Sequence, residues 1–395
     1  MTSSSTPDPA DDVSLSWGFT DTASASASSE DHATANQSPE VLLGEVVGGI
    51  HDTLPPAWSS YLTEIAIAAD EHRTRAAVET PDGRLLPLTV GPGVLRAAAA
   101  HRELTAGESP WMWLRITEHR GGEPQIAAFD GFVGAPPQHL LFPPASYRAD
   151  VSMSTAATTP LWLLAHVHDA GRQLRSASTA AAASPAECVY PTDELPPLPI
   201  LWPRFAALSA IFAAVDAVDG PRMTSAVGIF RGELGGCTLT RLPCGRAVLS
   251  GGADHSTLLT AAYQGQLEHP DLYRGAPAWV SNIVLDERAA AGMLTFCYWW
   301  SDGRWSRADL VGPPEWTPVT ELASAVPGVW TSVTTAELVR ATLGRVGIEV
   351  STDAAWNYVA QVDAGNIRPD LLTSLPHPPA APAEGLAVLD LTQSW

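Results

Sequence analysis

The apolar positions of "VLLGEVVGGIHDTL", residues 41–54, recur at helical spacing, and the run closes in a Pro-Pro-Ala-Trp turn. "YLTEIAIAAD" then predicts a strand, and a second strand leads into Asp82-Gly83-Arg84, a hairpin signal. "GVLRAAAAHREL" is built from strong helix formers. In "WMWLRITEHRGGEPQIAAFD", residues 111–130, Gly121-Gly122 separates two strand-like runs as a hairpin turn does. The first block therefore predicts the order α-β-β-α-β-β.

Further along, "RFAALSAIFAAVDAV" sets Phe205, Leu208, Phe212, Val215 and Val218 on one helical stripe. Strand-like "SAVGIFRGEL" and "GRAVLSG" follow, then a helix near "STLLTAAYQGQL", and "TTAELVRATLGRVGI" is helical in pattern. Between the blocks, "SASTAAAASPAECVYPTDELPPLP", Ser176 to Pro199, has the low complexity of a linker. Residues 1–40 carry seven acids, no base and no periodicity, which predicts a disordered acidic tail. The expected organisation is that tail, a first α+β domain over 41–175, a linker over 176–199, a second α+β domain over 200–375 and a Pro-rich tail over 376–395. A short "LAVLDL" in that last tail could add an edge strand.

Pro-Ala-Trp occurs twice, ending at Trp58 and at Trp279. Each time it precedes strand-like runs, an Asp-Gly-Arg and a further tryptophan, Trp111 or Trp330, at nearly equal spacings. The pattern predicts two related α/β units, with Trp58 superposing on Trp279. The predicted fold class is α+β, two such units joined by a Pro/Ala/Ser-rich linker.

Composition narrows the chemistry. The 395 residues, 45% hydrophobic, suffice for two or three cores. Net charge is −21, from 43 acidic and 22 basic residues, and every basic residue is arginine. Without lysine there is no P-loop lysine, no Schiff base and no lysine general base. The acidity disfavours nucleic acid and anionic membranes, and no apolar run is long enough to span a bilayer. The N-terminus lacks the pattern of a secretory signal, so the expected location is cytoplasmic. Four scattered cysteines form no disulfide framework; Cys237 and Cys244 could face each other across a hairpin, but a zinc site would need two more ligands.

Three stretches hold candidate chemistry. "HVHD", residues 166–169, would align two histidines on one face if it were a strand, yet lacks further ligands at metal-site spacing. "GGADHS", residues 251–256, puts Asp, His and Ser in a row, but adjacent residues do not converge as a triad, and Asp254 or Ser256 suits a helix N-cap. "CYWWSDGRWSRADL", residues 297–310, is either a strand buried on both faces or a binding surface, because Trp, Tyr and Arg dominate interface hot spots. Near the tip at Asp302-Gly303, Trp300, Arg304 and Trp305 are the partner-binding candidates, with at least one expected to be exposed. No motif supports catalysis, a cofactor or a metal.

Residues 41–153 resemble the YezG-like immunity proteins of polymorphic toxin systems, the group that includes the immunity factor for tuberculosis necrotizing toxin. The resemblance rests on the helix ending in "LPPAW", a strand pair, "GVLRAAAAH", "PWMWLRIT" and "FDGFVGAPPQHLLFPPASYRAD", with Phe129, Asp130, Pro136, Tyr147 and Asp150 at matching places. It implies a non-enzymatic protein that binds a toxin domain and blocks it, with Asp130 and Tyr147 in the segment that carries the likeness. The runner-up is a structural or regulatory interaction protein of the same fold without a toxin partner. An enzyme with a site assembled from scattered residues ranks third.

Overall fold

The computed structural model describes residues 38–69, 71–105, 111–131, 134–153, 159–183, 189–368, 370–373 and 375. The expectations for the acidic tail and the Pro-rich close fall almost wholly on residues outside these. The described chain is α+β, built on two antiparallel sheets.

The first sheet follows helix α1 (Pro39–His51) and contains β1 (Ser60–Ala68), β2 (Glu71–Glu79), β3 (Leu85–Pro87), β4 (Trp113–His119) and β5 (Gln125–Phe129), with α2 (Pro92–Leu104) between β3 and β4. Its strand order is β3-β2-β1-β4-β5. Both helices cover one face: Leu42, Val46 and Ile50 of α1 and Val94 and Ala98 of α2 pack on Tyr61, Ile65, Val78, Leu114 and Ile116. Alternation along β1 and β4 selects these residues, because successive side chains on a strand point to opposite faces. A Cβ on Gly49 would stand 2.6 Å from Val94 Cγ2, so the glycine at this position is what lets the two helices touch.

After β5 the chain crosses the opposite face and forms α3 (Pro144–Met153) and α4 (Leu161–His168). Leu140, Phe142, Tyr147 and Leu163 cover Ala66, Ala68, Met112 and Trp113. "HVHD" is therefore helical, not a strand: His166 and His168 diverge, and His166 Nε2 lies 2.8 Å from the Phe142 carbonyl.

The second sheet has the order β6-β12-β11-β10-β9-β8-β7. It comprises β6 (Val189–Thr192), β7 (Gly220–Met223), β8 (Val227–Gly232), β9 (Gly235–Leu242), β10 (Arg246–Ala253), β11 (Phe296–Ser301) and β12 (Arg304–Ala308). The helices among and after these strands are α5 (Ala177–Ala182), α6 (Leu198–Ala214), α7 (Thr257–Tyr263), α8 (Pro318–Ala325), α9 (Ser332–Gly344), α10 (Thr352–Asp363) and α11 (Asp370–Thr373). Leu201, Phe205 and Leu208 of α6 pack with Leu322, Val339 and Val359 of α8, α9 and α10 against Leu239, Leu249, Phe296 and Tyr298. The other face is closed by Leu272, Val280, Val284 and Leu285 packing on Val248, Cys297 and Trp299.

Several expectations change here. The stretch read as a linker folds: Tyr190, Pro191 and Thr192 of β6 pair with Arg307, Ser306 and Trp305, and α6 starts at Leu198. Its proline is tolerated because β6 is an edge strand, and Arg307 anchors the segment through Glu194 at 2.8 Å. Nor is residue 175 a boundary. Leu161, Leu164 and Ala165 pack on Leu259, Tyr263 and Met293, and buried Arg175 donates to the carbonyls of Ala276 and Val280. Trp58 lies just before β1, whereas Trp279 is followed by 3-10 turns at Asn282–Val284 and Glu287–Ala289, and β11 begins only at Phe296. What the two stretches share is the hairpin turn, with Gly83 and Gly303 at φ of 79° and 76°. Cys244 sits exposed in the β9–β10 turn while Cys237 is buried opposite Gly251, so the two thiols do not face each other.

Candidate functional site

The hairpin expected to bind a partner is core. Trp300 is 8% exposed and Trp305 1%, their rings edge to face at 5.3 Å, and Trp305 Nε1 donates to the Pro196 carbonyl at 2.8 Å. The correction has a simple cause: β6 pairs beside β12, and the helical layer covers the face on which both tryptophans stand. Arg304, at the start of β12, is exposed, as expected of at least one of the three. Ser256 is the N-cap of α7, its Oγ accepting from Leu259 N.

Asp130 and Tyr147 belong to the first sheet. Tyr147 is buried, edge-on to Phe142, and its hydroxyl accepts from Phe142 N at 3.3 Å. Asp130 is half-buried directly after Phe129, whose ring stacks on Trp113 at 3.8 Å with 6° between the planes. Leu140, Phe142 and Tyr147 thus close part of a sheet face, and the part they leave open holds a buried charged group.

Register explains that group. Glu64 on β1 pairs with Arg75 on β2 and with Arg115 on β4, which in turn pairs with Ala127 on β5. Directly paired residues share a face, so Arg75, Glu64, Arg115 and Ala127 form one row. Glu64 is only 2% exposed. Arg115 sends Nε and Nη2 to Glu64 Oε1 at 3.1 and 2.9 Å, and His139, from the loop crossing the face, stands 2.8 Å from Glu64 Oε2. The Arg115 guanidinium also lies over the Trp113 ring at 5.0 Å. The buried carboxylate therefore holds an arginine over the Trp113 ring of a stacked aromatic pair, with that arginine side chain still 45% exposed. Such a geometry is suited to recognition, because the guanidinium is oriented before any partner arrives.

The neighbouring row, Ala77, Leu62 and Thr117, is only partly covered, and Gln125 and Ala127 of β5 are exposed. The other buried polar clusters tie elements together. Asp169 accepts from Tyr263 at 3.0 Å. Burial raises the Glu194 pKa, but hydrogen bonds from Arg307 and Tyr298 outweigh it and leave the carboxyl below its ordinary value. Glu321 takes hydrogen bonds from Ser256 and Trp316 at 2.6 and 2.8 Å, yet burial dominates and holds it above its ordinary value. Among the described residues no group of three or more His, Cys, Asp or Glu is placed to hold a metal ion.

Sequence reasoning missed Glu64, Arg75, Arg115 and His139. A signal existed: "YLTEIAIA" and "WLRIT" each carry one charge, of opposite sign, inside an apolar strand run. Only the strand register puts those charges together. No protein-family model matches the chain, and no curated protein matches it.

Proposed function

We propose that this chain is a non-enzymatic protein-binding protein that acts in the cytoplasm, as an immunity protein or a relative of one, and that it holds its protein partner on the open face of the five-stranded sheet. The supporting observation is the pre-oriented Arg115 on the Trp113–Phe129 stack, exposed beside Arg75 and the small residues of β5. Arginine over aromatic rings is the composition of interface hot spots. The resemblance of residues 41–153 adds the class of partner, a toxin domain. The likeness is densest in 129–150, the segment that borders this face.

The test is a photoreactive benzoylphenylalanine at Ala127 in the producing cell, with Glu337 on α9 as control position. Ala127 should crosslink one discrete protein and Glu337 should not. Crosslinks from Glu337 alone would move the site to the second sheet. For the toxin reading, co-expression should restore growth against a toxin domain encoded beside the gene, and Arg115→Glu should abolish that protection; growth unaffected by the substitution would refute the role given to this face.

A further inference from the structure

The open face has a local charge opposite to that of the chain. At −21 the protein as a whole repels acidic partners, yet the centre of this face presents two arginines over one buried carboxylate. Both oxygens of that carboxylate are already engaged, one by Arg115 and the other by His139. Arg75 is exposed and makes no hydrogen bond or ion pair with any described residue. This is unlike Arg73 two positions earlier, which donates to the Leu141 carbonyl and covers the Phe142 ring. Arg115 spends Nε and Nη2 on Glu64, which leaves Nη1 for another acceptor. The other acids on this face of β2 are Glu71 and Glu79. Each is four residues from Arg75, about 13 Å along a strand, and Glu79 already accepts from Ser60 at 2.7 Å.

Arg75 and Arg115 stand on either side of Glu64, so their Cα atoms are about 10 Å apart, two strand spacings. Both side chains are long enough to close on carboxylates about 7 Å apart, the separation of residues i and i+2 on an extended chain. On the same face Leu62 and Ala77 form the next row, half-buried, and Ala127 extends the arginine row on β5.

We infer that this face takes an extended acidic polypeptide segment of the partner, with the carboxylates of its residues i and i+2 on Arg75 and Arg115. The inference rests on the proposed binding role of the face and adds the chemistry of what binds there. It also accounts for selectivity: the surrounding negative charge turns away acidic chains that cannot reach this one pair of arginines.

Labelling arginine alone restricts the spectrum to the 22 arginines. The full chain, labelled with ¹⁵N-arginine, is titrated with a capped ten-residue peptide alternating glutamate and valine. A lysine–valine peptide and inorganic phosphate serve as comparisons, and Arg75→Gln and Arg115→Gln assign the two resonances. The Nε–H signals of Arg75 and Arg115 should move with the acidic peptide while that of exposed Arg304 stays. Arg75→Gln should weaken binding about two- to five-fold, the size of an exposed charge pair. Movement by the lysine–valine peptide instead overturns the partner's chemistry and leaves the binding face standing. Equal movement by phosphate overturns it as plain anion attraction. If no ligand moves either signal, both the inference and the binding face fall.

Discussion

Trp305→Ala removes the most deeply buried tryptophan of the β11–β12 hairpin, and its cost can be worked out from what that side chain touches. The residue is 1% exposed, meets Trp300 edge to face at 5.3 Å and donates Nε1–H to the Pro196 carbonyl at 2.8 Å. A buried tryptophan removes about 150–250 Å² from water, and at about 25 cal/mol per Å² this is worth roughly 4–6 kcal/mol. Measured Trp→Ala costs in cores, about 3–5 kcal/mol, agree, and the stranded Pro196 carbonyl adds about 1 kcal/mol. A loss of about 4–6 kcal/mol is comparable to the entire stability of many domains. Guanidinium denaturation followed by circular dichroism reads it directly. Trp305→Phe, which keeps most of the apolar area but loses the donor, should cost about 1–2 kcal/mol. Since the lost hydrogen bond ties β12 to the Pro196 turn, the alanine variant should also be cleaved sooner by protease between residues 193 and 197. A Trp305→Ala chain within about 1 kcal/mol of the parent would refute the placement of this cluster in the core.

Glu321 is buried and its pKa lies above the ordinary 4.5, so its contribution to stability is full below that value and is lost as pH rises through the raised folded value. Glu321→Gln, which copies the neutral carboxyl, should therefore melt higher than the parent at pH 8 and converge with it near pH 4; a constant gap across that range would show that Glu321 does not titrate differently in the fold. Gly292 has φ of 70°, and a Cβ there would lie 2.5 Å from Asp169 Cβ, so Gly292→Ala should cost about 2–4 kcal/mol, and an unchanged melting temperature would argue against the close packing of α4's end on this loop. Arg75 is exposed and has no hydrogen-bond or ion-pair partner among the described residues, so Arg75→Gln should shift stability by no more than about 0.5 kcal/mol in the same denaturation assay, whatever it does to binding.

Short-range pattern determined a good part of this protein. The apolar spacing of α1, the helix formers of α2, the helical body of α6, the strands β1 and β2, and the turns at Asp82-Gly83, Gly121-Gly122 and Asp302-Gly303 all follow from residues within a dozen positions of one another, whereas Val218, read as part of the α6 stripe, lies beyond the helix end at Ala214 and is exposed. The capping role of Ser256 and the absence of lysine chemistry were legible for the same reason. Tertiary structure decided the rest. "VYPT" looks like linker and becomes an edge strand because β12 offers it a partner; "CYWW" is buried on both sides because one layer of helices and one of loops cover the sheet; Trp305 is core because β6 lies beside it. The same holds for the proposed binding face. Glu64 and Arg115 are 51 positions apart and meet only through the pairing of β1 with β4, so a one-residue slip of β4 would turn Arg115 to the face away from Glu64; His139, 75 positions from Glu64, is brought in by the loop that crosses the face.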